Sequence, residues 1–368
     1  MNTQGRIPEL DGMRGIAILA VLLFHLGLVT GGYFGVDIFF VLSGFLITHI
    51  LLAEKEQRGS ISLRHFYYRR ALRLLPALAV YLAFCLLLNL RVPLFSRSAW
   101  QVLGATLLYY ANWFRALTPY RIGDLGLGPL GHTWSLAIEE QFYLTWPLLL
   151  LVFLRLKVSR AAIATLLGLL ALALFAHRIM LYRSGTTWWR IYFGTDTHAD
   201  GLLVGCIAAL VKERFMAISE KAKKTLQITT ALCCWCIAYL MMTLSFGPSY
   251  ASMCAFLAVP VMSGIVILGV TIAPSPVAQA VLSSTQARYL GQRSYSLYLW
   301  HFLITEYWLP TWPMPKIYAM PVAIGISILL AELSFRFVEL PFLKLKSRRI
   351  SLKTNNPAPQ PRLAEADS

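Results

Sequence analysis

RGIAILAVLLFHLGLVTGGYFGVDIFFVLSGF, Arg14 to Phe45, is the stretch on which the fold turns. It reads as two apolar helices joined at Gly31 and Gly32, yet it carries Arg14, His25 and Asp37. An ionisable group inside a bilayer is costly unless it faces a partner or water, so each of the three marks a functional site. Eleven residues are about three helical turns, which puts Arg14 and His25 on one face with His25 roughly 16 Å farther along the axis. The expectation is Arg14 near one membrane surface and His25 near mid-membrane.

Outward from that pair, the whole chain has the same character. Of 368 residues, 57% are hydrophobic and only 14% charged, which excludes a large soluble domain. Apolar segments recur near 15–31, 34–53, 74–90, 99–114, 133–154, 161–182, 197–211, 225–246, 250–272, 294–312 and 317–340. If all of them crossed, the basic loop at 212–224 would lie opposite the basic loop at 54–73, against the positive-inside rule. Keeping 99–114 as an interfacial or re-entrant piece resolves the conflict. The predicted fold is an all-α polytopic membrane helix bundle of about ten transmembrane helices plus that one segment, with both termini cytoplasmic. Residues 1–345 form the membrane domain and 346–368 a polar, Pro-rich cytoplasmic tail expected to be disordered.

The net charge of +16 follows from this topology, because most Lys and Arg sit at the ends of apolar segments; no nucleic-acid partner is expected. All six cysteines fall in apolar stretches without ligand spacing, so neither a disulfide framework nor a metal site is expected. The acidic residues near the N-terminus and the lack of a small-residue cleavage site argue against a removable signal peptide.

Four further constellations carry possible chemistry. RHFYYRRALRLLP, Arg64 to Pro76, places Arg69 and Arg73 on one helix face with Arg70 beside them, a guanidinium cluster suited to phosphate; positive-inside anchoring explains its composition as readily. GHTWSLAIEEQFYLTWP, Gly131 to Pro147, carries Glu139 and Glu140 too deep for ordinary surface charges. YFGTDTHADGLLVG, Tyr192 to Gly205, groups Asp196, His198 and Asp200 at a helix start, fit for capping, for orienting a base or for binding sugar hydroxyls. LGQRSYSLYLWHFLI, Leu290 to Ile304, carries Arg293 and, about 12 Å deeper, His301. Arg336 and Glu339 are expected to form an internal ion pair, and the glycine-rich run 121–132 an irregular loop able to act as a lid.

The motifs ELDGMRGIAILAVLLFH, GGYFGVDIFFVLSGFLIT, FYYRRALRLLP, HTWSLAIEEQFY and SYSLYLWH, in that order, resemble the acyltransferase-3 family of integral membrane O-acyltransferases over about residues 8–342. The resemblance implies transfer of an acyl group, commonly acetyl, from cytoplasmic acyl-CoA to a hydroxyl of a cell-surface polysaccharide, lipid-linked sugar, lipopolysaccharide or other glycoside, in a bacterial inner membrane. It implies that Arg14 and His25 are essential, that Arg69, Arg70 and Arg73 hold the donor with Arg14, and that Glu139 and Asp37 belong to acceptor-side motifs. Some relatives add an esterase-like domain; here a standalone form is expected. Acyl-CoA is then a co-substrate and no cofactor is bound permanently.

On this reading the catalytic residues are His25, Glu139 and Asp37, with a carboxylate holding the His25 imidazole in its working tautomer. His25 serves either as general base or as transient acyl carrier. Acceptor binding falls to Ser43, Trp134, Glu140, Asp196, His198 and His301, with Trp113, Trp188 and Trp189 as further stacking surfaces. The rival from another class is a secondary transporter of a glycan or small metabolite, against which stands the absence of an inverted repeat.

Overall fold

The computed structural model describes residues 7–91, 97–118 and 128–345. The expected tail at 346–368 and residues 121–127 of the expected lid loop at 121–132 lie outside the described residues. In chain order the helices are α1 (Pro8–His25), α2 (Phe34–Arg58), α3 (Leu63–Asn89), α4 (Arg97–Leu107), α5 (Ala111–Leu117), α6 (Trp134–Arg155), α7 (Arg160–Arg183), α8 (Trp188–Phe193), α9 (Thr195–His198), α10 (Asp200–Val211), α11 (Glu220–Thr243), α12 (Tyr250–Ile272), α13 (Pro276–Leu282), α14 (Thr285–Gln292), α15 (Ser294–Phe302) and α16 (Lys316–Ser334). No strand occurs among the described residues, as the all-α expectation requires.

Among the described residues, seven helices are long and apolar enough to cross a membrane: α2, α3, α6 with the turn before it, α7, α11, α12, and α16 with its continuation to Leu345. The other three expected crossings are shorter or more charged. They are α1, α10 with the last two residues of α9, and α15 with the π-helical turn Leu303–Trp308 that prolongs it. The segment 99–114 becomes α4 and α5, of 11 and 7 residues, separated at Tyr109 with φ +53°. At 1.5 Å per residue neither helix can span a bilayer.

α1 starts where Pro8 takes the first helical position and Glu9 and Asp11 face its amino end. Its other end corrects the sequence reading, which ran the apolar segment on to residue 31. Gly27 adopts φ +74°, Leu28 N–H donates to the Leu23 carbonyl and Gly27 N–H to that of Phe24. This reverse closure stops the helix at His25. His25 is thus the last residue of a helix, half-buried, and not a mid-helix residue.

Without water to drive association, helices in lipid gain most from close contact, and small residues permit it. A Cβ on Gly291 of α14 would lie 1.7 Å from the Asp11 carbonyl oxygen of α1, and one on Gly15 2.0 Å from that of Ala287. Gly44 of α2 and Gly205 of α10 face the partner helix likewise, with Leu202 O at 2.0 Å and Val41 O at 2.1 Å. These two tight pairs build an inner layer of α1, α2, α10 and α14. α7 and α11 lie outside it, presenting exposed side chains such as Leu169, Leu172, Leu232 and Trp235. Phe34, Phe40, Phe45 and Phe256 fill the interior and leave the polar groups gathered at three places.

Candidate active site

One polar group lies at the Arg14 end of α1. Arg14 Nε donates to Ser294 Oγ at 3.3 Å. From α3, Arg70 sets its guanidinium 3.3 Å over the Tyr143 ring of α6 and 3.9 Å from Glu140. Arg73, one turn on, makes no hydrogen bond or ion pair with a described residue, and its strongest electrostatic interaction is repulsion from Arg14. Glu139 offsets this charge while accepting from Ser43 Oγ at 2.6 Å. A cleft of about 350 Å³ opens beside Arg70, Glu140, Gln141, Tyr143 and Tyr109.

Two expectations are corrected here. Arg69 does not join Arg70 and Arg73: it pairs with Glu54 at 3.1 Å, tying the end of α2 to the start of α3. Spacings of three and four both bring residues to one side of a helix, and only the position of α1 and α6 selects Arg70 with Arg73. Nor do Arg336 and Glu339 pair. Arg336 pairs with Glu332, as does Arg293, whereas the π-helical turn Phe335–Glu339 swings Glu339 inward to accept from Ser296 and to act on Arg73 and Arg14.

At the other end of α1, the hydrogen bonds define the His25 tautomer. His301 directs Nδ1 at the Leu297 and Tyr298 carbonyls, 3.0 and 2.8 Å away, so Nδ1 carries its hydrogen and Nε2 a lone pair. His25 Nδ1 lies 2.9 Å from the Val21 carbonyl and 3.3 Å from His301 Nε2, two acceptors, and so is the protonated nitrogen. The lone pair of His25 therefore resides on Nε2. A carboxylate was expected in this role; the group that holds the imidazole is His301. Phe302 and Phe24 stand edge-on to His25, at 5.4 and 5.1 Å between ring centres.

Asp37 is committed elsewhere. It sits 3.0 Å from His198 Nε2, and His198 Nδ1 donates to the Tyr192 carbonyl at 2.6 Å. Arg178 and Asp200 pair directly next to them, both fully buried. Trp134 is 5% exposed and packed against His198, Tyr192 and Phe193, so it is an interior side chain here and not an open platform. Trp188 and Trp189 stack on Tyr192 and Phe193, and Arg190 covers Trp113. Asp196, nearer the surface, takes two bonds from Arg190 at 2.8 and 2.5 Å and one contact from His177 at 3.2 Å. Burial alone would push its carboxyl up, but Arg190 and His177 outweigh that and hold it below its ordinary value.

Sequence reasoning passed over Ser294, Tyr143, His132 and Arg178. Arg178 was legible by the rule that marked His25, a charge inside an apolar run. The others are ordinary residues made relevant by neighbours from distant elements.

Fold and site together define a polytopic membrane protein with ionisable groups at both ends of one helix, and the chain belongs to the acyltransferase-3 family, whose acyltransferase domain matches residues 7–334. It is 35% identical over 349 residues to the peptidoglycan O-acetyltransferase OatA of Listeria monocytogenes, an alignment covering 92% of this chain and 56% of that protein. It is 36% identical over 353 residues to the putative peptidoglycan O-acetyltransferase YrhL of Bacillus subtilis, covering 91% and 54%. A putative O-acetyltransferase of Staphylococcus aureus is 33% identical over 351 residues, covering 92% and 57%. The chain thus spans a little over half the length of these relatives. No solved structure matches it.

Proposed function

We propose that this protein is an O-acetyltransferase of a bacterial inner membrane, taking acetyl from cytoplasmic acetyl-CoA and placing it on a hydroxyl of a cell-envelope glycan. One observation carries the reading: α1 has Arg14 among under-paired arginines at one end and, at the other, His25 with its Nε2 lone pair uncommitted. Guanidinium groups without full partners suit phosphate oxygens, so Arg14, Arg70 and Arg73 are assigned to the CoA phosphates, with Arg69 bracing the helix junction beside them. The pantetheine arm follows α1 and brings the thioester to His25.

His25 acts as general base through Nε2. The acceptor hydroxyl loses its proton to that nitrogen as its oxygen bonds the acyl carbon; the C–S bond breaks and the proton passes to the CoA sulfur. Glu139, through Ser43 and the arginines, sets the charge balance of the donor side. Asp37 orients His198 from the interior, and Asp196, nearer the surface, is assigned to the acceptor side. The names of the relatives favour peptidoglycan, or its lipid-linked precursor, as acceptor over lipopolysaccharide. Both termini are assigned to the cytoplasm, with the polar tail following α16.

The test is purified protein in lipid with [14C]acetyl-CoA and, in separate reactions, lipid-linked peptidoglycan precursor, glycan strands and lipopolysaccharide. Label on a glycan with wild type and not with His25→Ala supports the reading and names the acceptor. No CoA release and no acyl-CoA binding overturns it in favour of transport.

A further inference from the structure

His132, in the 3-10 turn Gly128–Thr133 that leads into α6, is 3% exposed, and neither of its ring nitrogens has a hydrogen-bond partner among the described residues. A neutral imidazole has one N–H donor and one lone pair, and leaving both unmade in the interior is costly. The ring is held by packing alone. Its face lies on Phe302 at 4.8 Å with 28° between planes, and His301 and Tyr81 stand edge-on at 5.8 and 5.9 Å. Phe302 and His301 are the same two side chains that flank His25. His132 therefore joins the rings around His25 from a second element, with its hydrogen-bonding capacity unspent.

A second feature points to the ligand. Arg115 of α5 donates to the Gly131 carbonyl, the residue before His132, and its guanidinium rests 4.0 Å over the Phe193 ring. That fixes a positive charge whose field reaches both His132 and His25. An N–H donor without a partner, backed by a fixed cation beside a base, suits an oxygen that gains negative charge during reaction.

We infer that His132 is a catalytic residue that donates its ring N–H to the acyl carbonyl oxygen while transfer proceeds at His25, with Arg115 positioning the turn and supplying the supporting field. This rests on the acyltransfer reading. As the acceptor oxygen bonds the carbonyl carbon and its proton moves to His25 Nε2, the carbonyl π pair shifts onto oxygen, where His132 meets it. Collapse restores the carbonyl, expels the CoA sulfur and returns the proton from His25 to that sulfur. Nothing is oxidised or reduced.

The experiment uses full-length protein in lipid and two readouts. Steady-state transfer from acetyl-CoA is compared for wild type, His132→Phe, His132→Asn and Arg115→Gln. Infrared spectra are taken of the bound ketone analogue of acetyl-CoA, in which CH2 replaces the thioester sulfur, with its carbonyl carbon 13C-labelled. His132→Phe should lower kcat about 100- to 1000-fold with the acyl-CoA KM little changed, and Asn, which keeps a donor, should recover part of the loss. The carbonyl band should lie at lower frequency in wild type than in His132→Phe. An unchanged band and unchanged kcat in His132→Phe overturn the inference while leaving acyltransfer standing. If His132→Phe binds no analogue because it fails to fold, His132→Asn decides by the same band. Wild type that binds neither analogue nor acetyl-CoA rejects the acyltransfer reading itself, and this inference with it.

Discussion

Two charge clusters stand within one bundle, one fully buried and the other half-buried beside a cleft. Around Asp37, His198, Asp200 and Arg178 the Arg178–Asp200 charges touch, Asp37 is bonded to His198, all four are buried and aromatic rings close over them, although Asp37 Oδ2, Asp200 Oδ1 and Arg178 Nε and Nη1 have no hydrogen-bond partner among the described residues. Around Arg14, Arg70 and Arg73 the contacts are long or missing, like charges repel, and a cleft opens alongside. A charge already matched by a neighbour holds structure together; one left short of partners beside a cleft is held ready for something that arrives. Composition looks alike in the two places, so the distinction lies in how directly opposite charges meet and in burial.

The largest expected effect comes from neither cluster but from the group they flank. His25→Ala should reduce acetyl transfer by about 10²–10⁴-fold, the usual contribution of a general base, while the protein still inserts and binds acyl-CoA. Retained transfer in radiolabel assays would remove His25 from the chemistry. Next, Arg178→Met should destabilise the protein by about 3–5 kcal/mol, because Asp200 is left as an unpaired buried charge. Thermal unfolding in detergent checks this, and Arg178→Met with Asp200→Leu should recover much of the loss. If instead the single variant is stable and loses donor binding, the two clusters have been assigned the wrong way round.

Arg73→Gln sharpens the contrast from the other side. It should raise the acyl-CoA KM about 10- to 100-fold, as expected for a charged hydrogen bond worth about 1.5–3 kcal/mol, and leave thermal stability unchanged or slightly improved through relief of repulsion. Arg69→Gln, which severs the partly exposed contact to Glu54, should cost less than about 1 kcal/mol and shift KM far less than Arg73→Gln. Equal KM effects would return Arg69 to the donor site.

The smallest effect is one of pH. The Asp196 carboxyl is held below its ordinary value by Arg190 and His177 in spite of burial, so its pairing stabilises the fold above the ordinary carboxylate range and is lost as pH falls through its lowered value. With the partial exposure of Asp196, this contributes under about 1 kcal/mol. Thermal unfolding followed downward from pH 5 should show a weaker acid dependence in Asp196→Asn than in wild type.

Legibility from sequence varied with the range of the interaction involved. The helical bundle was readable because long apolar runs admit one solution in lipid, a helix whose backbone bonds are satisfied internally. The placement of basic loops set 99–114 apart from the expected crossings, and there the chain forms two helices each too short to span a bilayer. The halt of α1 at His25 was in principle readable from Gly27, since reverse closure of a helix end favours glycine at that position. The exchange of Arg69 for Arg70 was not, because neighbouring spacings are equivalent until another helix chooses a face. The π-helical turn that brings Glu339 inward was equally hidden.

By itself the sequence determined that this protein is a membrane helix bundle and that Arg14, His25, Asp37 and Glu139 need an explanation, since hydropathy and isolated charge are properties of the chain. Only the tertiary structure decided which of those charges satisfy one another. His301 holds His25, His198 takes Asp37, and His132 is left without a partner among the described residues because hydrogen bonding acts over about 3 Å, and residues 100 to 300 positions apart come within that distance only after packing.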